Sequence, residues 1–119
     1  MSGGEKKLQA VFFTSEIGRS PVREWLKEEL SEEQRKAVGT DMRTVELNWP
    51  IGMPLVRKLD ADLWEVRSHI SGGIARVLFT VDAGYMILLH GFVKKTQKTP
   101  ANELETARHR LAVQKGKLT

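Results

Sequence analysis

Arg67, Arg76, His90, Lys94 and Lys95 are residue types that can act on a phosphodiester. Guanidinium and ammonium groups stabilise negative charge as it develops on phosphate, and an imidazole or an amine can carry a proton. Strand spacing can place Arg67, Arg76, His90 and Lys94 together, because alternate residues of a β-strand share one face, whereas Lys95 adjoins Lys94 and is not brought in by spacing. The residues Asp82, Ala83 and Gly84 suit a three-residue hairpin loop with Gly84 in the left-handed conformation. That loop places Val81, Phe79 and Val77 opposite Tyr85, Ile87 and Leu89 on an apolar face. On the other face Arg76 lies opposite His90, with Phe92 and Lys94 farther along. A four-residue loop from Ile70 to Gly73 brings Arg67 opposite Arg76. Two facing arginines repel each other, and an anion bound between them removes the conflict. A two-residue loop at Ala83 and Gly84 would instead set Arg76 against Gly91 and disperse the cluster. The longer loop is preferred because it turns fewer charges into the core.

The stretch HGFVKKTQKTP, residues 90–100, adds Lys94, Lys95 and Lys98 where a strand runs out into a loop. Such a cluster can hold a phosphate backbone over the sheet, and Phe92 can stack on a base of single-stranded RNA. Arg57 and Lys58, in the expected strand at 55–59, complete the candidate RNA-binding set. Simpler roles are open to each: Phe92 fits a core position equally well, Arg67 can pair with Glu65 two residues back, and the lysines can form a solvated turn. The chemical reading requires Arg67, Arg76 and Lys94 to project from one side of the sheet into a groove open to solvent.

Periodicity gives the scaffold that carries these groups. Residues 8–13, LQAVFF, read as a first strand. Ser20 and Pro21 start a short helix that ends near Leu30, with Val22, Trp25 and Leu26 on one face. Ser31 and Gln34 have capping-box spacing and open a second helix, in which Val38, Met42, Val45 and Trp49 form the buried stripe and Pro50 the stop. The period then changes to two, and four strands are expected near 55–59, 63–68, 74–81 and 85–94, joined as an antiparallel meander. Pro100 opens a final helix with Leu104, Ala107 and Leu111 on its apolar side. The expectation is an α+β domain of order β-α-α-β-β-β-β-α spanning residues 8–113, between flexible ends at 1–7 and 114–119.

Composition limits what such a domain can be. A chain of 119 residues can bury one modest core. Without cysteine it has no disulfide, thiol nucleophile or thiolate metal site, and three scattered histidines give no metal-binding pattern. No cofactor or metal is expected. No segment is apolar enough to span a membrane, and the opening MSGGEKKLQA has no signal-peptide core, so a cytoplasmic location is expected. The formal charge of +4 is uneven: residues 1–49 carry eight Lys or Arg against nine Asp or Glu, whereas residues 50–119 carry eleven against six. A basic second half favours a polyanion, either nucleic acid or an acidic protein segment.

The segments LWEVR at 63–67, GGIARVLF at 72–79 and LHGFVKKTQKTP at 89–100 resemble the characteristic blocks of the HigB-like, phage-derived toxins of the RelE/ParE superfamily. The likeness covers residues 8–112. It implies a RelE-like fold, a small and mainly antiparallel sheet packed against helices. It also implies a type II toxin that cleaves messenger RNA on the ribosome without a metal, using Arg67, Arg76, Lys94 and Lys95, with proton transfer by His90 or Lys95. The implied partners are a helix-turn-helix antitoxin, the ribosome with its mRNA, operator DNA reached through the antitoxin, and an oligomeric toxin–antitoxin complex. One departure concerns the tyrosine that RelE carries in its final helix, since the single tyrosine here is Tyr85. Two other functions share this fold: ParE-like inhibition of DNA gyrase without nuclease activity, and an inactive relative that only binds an antitoxin.

Overall fold

The computed structural model describes residues 5–117. These form β1 (Gln9–Phe12), α1 (Pro21–Glu29), α2 (Glu32–Asn48), β2 (Val56–Asp60), β3 (Leu63–Ile70), β4 (Gly73–Asp82), β5 (Tyr85–Lys94) and α3 (Ala101–Lys117). The expected α+β order is the observed one. The strands make one sheet in the order β1-β5-β4-β3-β2. Four of them form the antiparallel meander, while β1 lies parallel to β5, with Gln9 aligned to Tyr85 and Phe12 to Leu88. No helix among the described residues is long and apolar enough to cross a membrane.

Helices cover both faces of the sheet, so the central strands are buried on both sides and their alternation is weak. Val22 and Trp25 of α1 and Val38 and Val45 of α2 pack on one face against Val66, Ala75, Val77, Phe79, Met86 and Leu88. Ala107 and Leu111 of α3 pack on the other against Leu63, Leu78, Ile87, Leu89 and Phe92. The capping box is present at the start of α2, where Ser31 accepts from the Gln34 amide and the Gln34 side chain accepts from the Ser31 amide. Such a cap is worth about 1 kcal/mol. Ser20 makes no equivalent contact to the backbone of α1, and its hydroxyl faces Thr14 instead. The outer edge of β1 is closed by Glu46, whose buried carboxylate accepts from the Ala10 amide at 2.7 Å and from Lys6 at 3.3 Å. An edge strand covered in this way is a poor template for stray pairing.

The end of α3 and the last hairpin depart from expectation. The helix runs on past Val113 to Lys117, and Lys115 holds Asp62 at 2.8 Å, so residues 114–117 are helical. Residues 1–4 and 118–119, part of the expected flexible ends, lie outside the described residues. The β4–β5 turn is the two-residue alternative, with Asp82 paired to Tyr85 and positive φ at Ala83 (49°) and Gly84 (84°). That pair of left-handed residues matches the twist of a hairpin.

Candidate functional site

The short turn alone would have turned the far end of β5 to the other face relative to Arg76, but a bulge moves the register by one further residue and restores the facing. Phe79 pairs with Leu88 and the next residue, Leu78, pairs with His90, which leaves Leu89 as the extra residue. One inserted residue shifts the pairing by one and restores the facing of the residues beyond it. Arg76 therefore lies opposite Phe92, not His90 as expected, and Val77 lies opposite Gly91. Arg76, His90 and Phe92 still share the α3 side of the sheet. The β3–β4 register is the expected one, with Arg67 opposite Arg76, although Ile70 and Gly73 also pair and shorten the loop to Ser71 and Gly72.

Around the two arginines the chain builds a buried charged cluster. Glu65, two residues before Arg67 on the same face, reaches Arg67 Nε at 3.8 Å and Arg76 Nη1 at 4.0 Å. Arg76 and Glu65 are both 0% exposed. The segment after β5 closes over them. The Gln97 main-chain oxygen accepts from Arg76 Nη1 at 3.2 Å and Arg67 Nη2 at 3.5 Å, while Gln97 Oε1 accepts from Arg67 Nη2 at 3.0 Å. Thr99 donates to Glu65 Oε2 at 2.6 Å, a length typical of a hydroxyl on an ionised carboxylate. The open groove expected over Arg76 is thus absent in this conformation: Arg76 is fully buried on the α3 side of the sheet, with Glu65 as an acidic mate and the Gln97 main chain against it.

The cluster is incompletely satisfied. Among the described residues, Arg76 Nε and Nη2, Arg67 Nε, Glu65 Oε1 and Ser68 Oγ are buried side-chain atoms with no hydrogen-bond partner. Ser68 belongs to the α2 face, opposite Ala75. The other four atoms belong to this cluster. Nε and Nη2 form one edge of a guanidinium, the two-donor fork that matches two oxygens of phosphate or carboxylate. Burial pushes the pKa of Arg76 below its ordinary value; Glu65 opposes this, and nearby Arg67 and Arg57 add to it. The group stays charged, as arginine does in proteins. A buried guanidinium with an empty edge is costly to a fold and suits a site that takes an outside oxyanion.

The remaining candidates divide between the two faces. Arg57 pairs with Glu65 across β2 and β3 and so belongs to the arginine face. Lys58 pairs with Trp64 and lies over its ring at 5.5 Å, on the opposite face and away from the cluster. Lys94, at the end of β5, and Lys95 and Lys98, in the segment that follows, are exposed. Phe92 is 6% exposed and belongs to the core under α3, so it offers no face to a base in this arrangement. Two clefts of about 360 and 410 Å³ are not lined by Arg67 or Arg76, although the second is lined in part by Phe92, Lys94 and Glu103.

His90 is held in a different network, through residues that sequence reasoning did not single out. Its Nε2 lies 2.7 Å from Glu103 Oε1 and its Nδ1 3.1 Å from Arg110 Nη1. Arginine only donates, so Nδ1 is the acceptor and Nε2 carries the proton that Glu103 accepts. Both nitrogens of the neutral ring are occupied. Burial lowers the His90 pKa below 6.5, the Glu103 hydrogen bond opposes that, and the Arg110 charge adds to it. Folding therefore favours the neutral ring, and the stability this contributes is present above about 6.5 and lost as pH falls below it. The urea midpoint of the wild type is expected to drop between roughly pH 7 and 5 more steeply than that of His90→Gln. Equal slopes would count against the buried neutral assignment. Asp60 and Asp62 are held below their ordinary pKa values, Asp60 by the Ala61 amide and Arg108 and Asp62 by Lys115, so their losses fall at lower pH.

Residues 24–112 match the family model described as Phage derived protein Gp49-like (DUF891). No curated protein matches the sequence. The matched stretch takes in both arginines, Glu65, the closing segment and most of α3. By that match over most of its length, the chain belongs to the Gp49-like family of phage-derived proteins, a toxin family of toxin–antitoxin systems within the RelE/HigB-like superfamily.

Proposed function

We propose that this protein is a HigB-like toxin that cleaves messenger RNA on the ribosome, with the scissile phosphate bound between Arg67 and Arg76. The observation that carries this reading is the facing arginine pair with an unpartnered donor edge on Arg76. The ribose 2′-oxygen attacks the adjacent phosphorus and gives up its proton. The bond from phosphorus to the 5′-oxygen breaks, and that oxygen takes up a proton. A 2′,3′-cyclic phosphate and a 5′-hydroxyl result. Arg67 and Arg76 stabilise the charge on the phosphate oxygens, where preorganised donors contribute most. Lys94, Lys95, Lys98 and Arg57 hold the flanking backbone. With both His90 nitrogens occupied, Lys95 is the better candidate for proton transfer. The ribosome supplies substrate alignment, which can be worth several kcal/mol of barrier. A helix-turn-helix antitoxin is the proposed partner, through which the complex reaches operator DNA.

Induced expression in a bacterial host, with RNA 5′ ends mapped, tests the reading. New 5′-hydroxyl ends inside translated messages are expected from the wild type and not from Arg76→Ala. Unchanged RNA ends together with gyrase-linked DNA breaks would establish the ParE-like activity instead, and unimpeded growth would leave an inactive antitoxin binder.

A further inference from the structure

The segment between β5 and α3 differs from an ordinary loop in how it is held. Lys95, Thr96, Gln97 and Lys98 are exposed, whereas Thr99 is 8% exposed and turned down onto Glu65. Its contacts to the sheet are polar: Gln97 on Arg67 and Arg76, and Thr99 on Glu65. Its own turn is closed by Thr96 donating to the Lys98 oxygen at 3.2 Å. Both ends are anchored. Ile74 pairs with Lys94 at the end of β5, and the Pro100 oxygen accepts from the Glu103 and Leu104 amides at the start of α3. A segment fixed at its ends and held between them by a few polar contacts, with little apolar burial, opens at low cost relative to the core.

We infer that residues 95–99 are a strap that closes the arginine site in the free protein, latched by Thr99 onto Glu65, and that an RNA phosphate opens it by displacing Gln97. The inference rests on the ribonuclease reading of this site. Gln97 offers neutral oxygens to guanidiniums that are themselves charged, and a phosphate oxygen that replaces them adds an ion pair to a hydrogen bond that is already charge-assisted. Gln97 occupies Nη1 of Arg76 and Nη2 of Arg67, and Arg76 Nε and Nη2 have no hydrogen-bond partner, so the pair has donor capacity beyond what Gln97 uses. Glu65 is a positioning residue: its carboxylate lies between two like charges and holds them together while no anion is bound. Lys95 and Lys98 ride on the strap, so its opening carries two positive charges with it over the incoming backbone. The fraction of open molecules sets apparent affinity, since a site that is mostly closed binds more weakly in proportion.

Limited trypsin digestion without ligand reads strap opening through cuts after Lys95 and Lys98, and titration with a non-cleavable 2′-O-methyl oligouridylate reads anion binding. Thr99→Val removes the latch hydroxyl at nearly constant size, and it is expected to speed both cuts and tighten oligonucleotide binding by roughly tenfold. Gln97→Gly keeps the main-chain oxygen, loses the contact from Oε1 to Arg67, and lies at an exposed position that does not endanger the fold. A smaller change in the same direction is expected. Wild-type digestion and binding in both variants would overturn the strap, as would absence of oligonucleotide binding throughout. Cleavage of ribosome-bound mRNA is scored separately. Loosened variants that bind tightly in a protein that never cuts would retain the strap and remove the ribonuclease, while a working nuclease with unchanged strap kinetics would do the reverse.

Discussion

Arg76→Lys is expected to lower the rate of mRNA cleavage on the ribosome by roughly 10²–10³-fold, the scale for losing one preorganised donor at a developing oxyanion. The substitution keeps a cationic side chain at a position that is 0% exposed, so the comparison isolates the shape of the donor set. On the proposed reading arginine offers Nε and Nη2, which have no hydrogen-bond partner, as a fixed fork to the phosphate, while Nη1 donates to the Gln97 main-chain oxygen. An ammonium is a point charge that cannot make both contacts in one plane. Burial also disfavours a charged lysine far more readily than a charged arginine, so part of the population would lose its charge. Initial rates on programmed ribosomes, with thermal unfolding alongside, check this. A rate within about threefold of wild type in a folded protein would mean that charge alone suffices and that the empty edge is not where phosphate sits.

The fold was legible wherever the physics is local. The capping box at Ser31 and Gln34, the four-three-four spacing of Val38, Met42, Val45 and Trp49, and the limits of β5 are all written in neighbouring residues, and each is present. The parallel seat of β1 beside β5 was not legible, because it joins segments more than seventy residues apart with no hairpin between them. Nor was the bulge. Leu89 carries no glycine signal, and it becomes the extra residue because the tight turn at Ala83 and Gly84 would otherwise put the wrong face of β5 against α3. The tight turn itself is hard to read because Ala83 adopts a positive φ that alanine seldom takes.

The site was half legible for the same reason. Facing residues depend on loop length, which brought Arg67 and Arg76 together in the expected register. Their cover is set by another factor, the way a six-residue connection, Lys95 to Pro100, folds back over the sheet. Gln97 and Thr99 sit among lysines in a polar stretch with no periodicity to mark which side chain turns inward. Phe92 shows the limit in the other direction: an aromatic two residues from a histidine on a basic strand fits platform and core equally, and only the position of α3 decides for core. Lys58 fell on the other face because the β2–β3 pairing alternates it with Arg57, a consequence of register that composition could not reveal.

Gly91→Ala is expected to destabilise the protein by about 1–3 kcal/mol, at the upper end of that range, through overpacking in the core. The reason is steric and not conformational, since Gly91 has no positive φ. A Cβ at this position would stand 2.4 Å from Trp25 Cε3, 2.6 Å from Cζ3 and 2.9 Å from Cδ2, well inside van der Waals contact. The obstacle is a rigid indole, 8% exposed and wedged between α1 and the sheet, so relief requires lifting α1 away from β5. That movement would disturb the strand on which Phe92 faces Arg76. A compensating change separates crowding from other causes. Trp25→Leu makes room for the methyl group, so the double variant should be less destabilised than the sum of the two single variants, with a coupling of roughly 1 kcal/mol or more expected for groups in direct contact. Urea unfolding of the four proteins measures the cycle. Additive losses, or a Gly91→Ala midpoint equal to wild type, would show that α1 does not press on this strand as closely as the Trp25 contact requires.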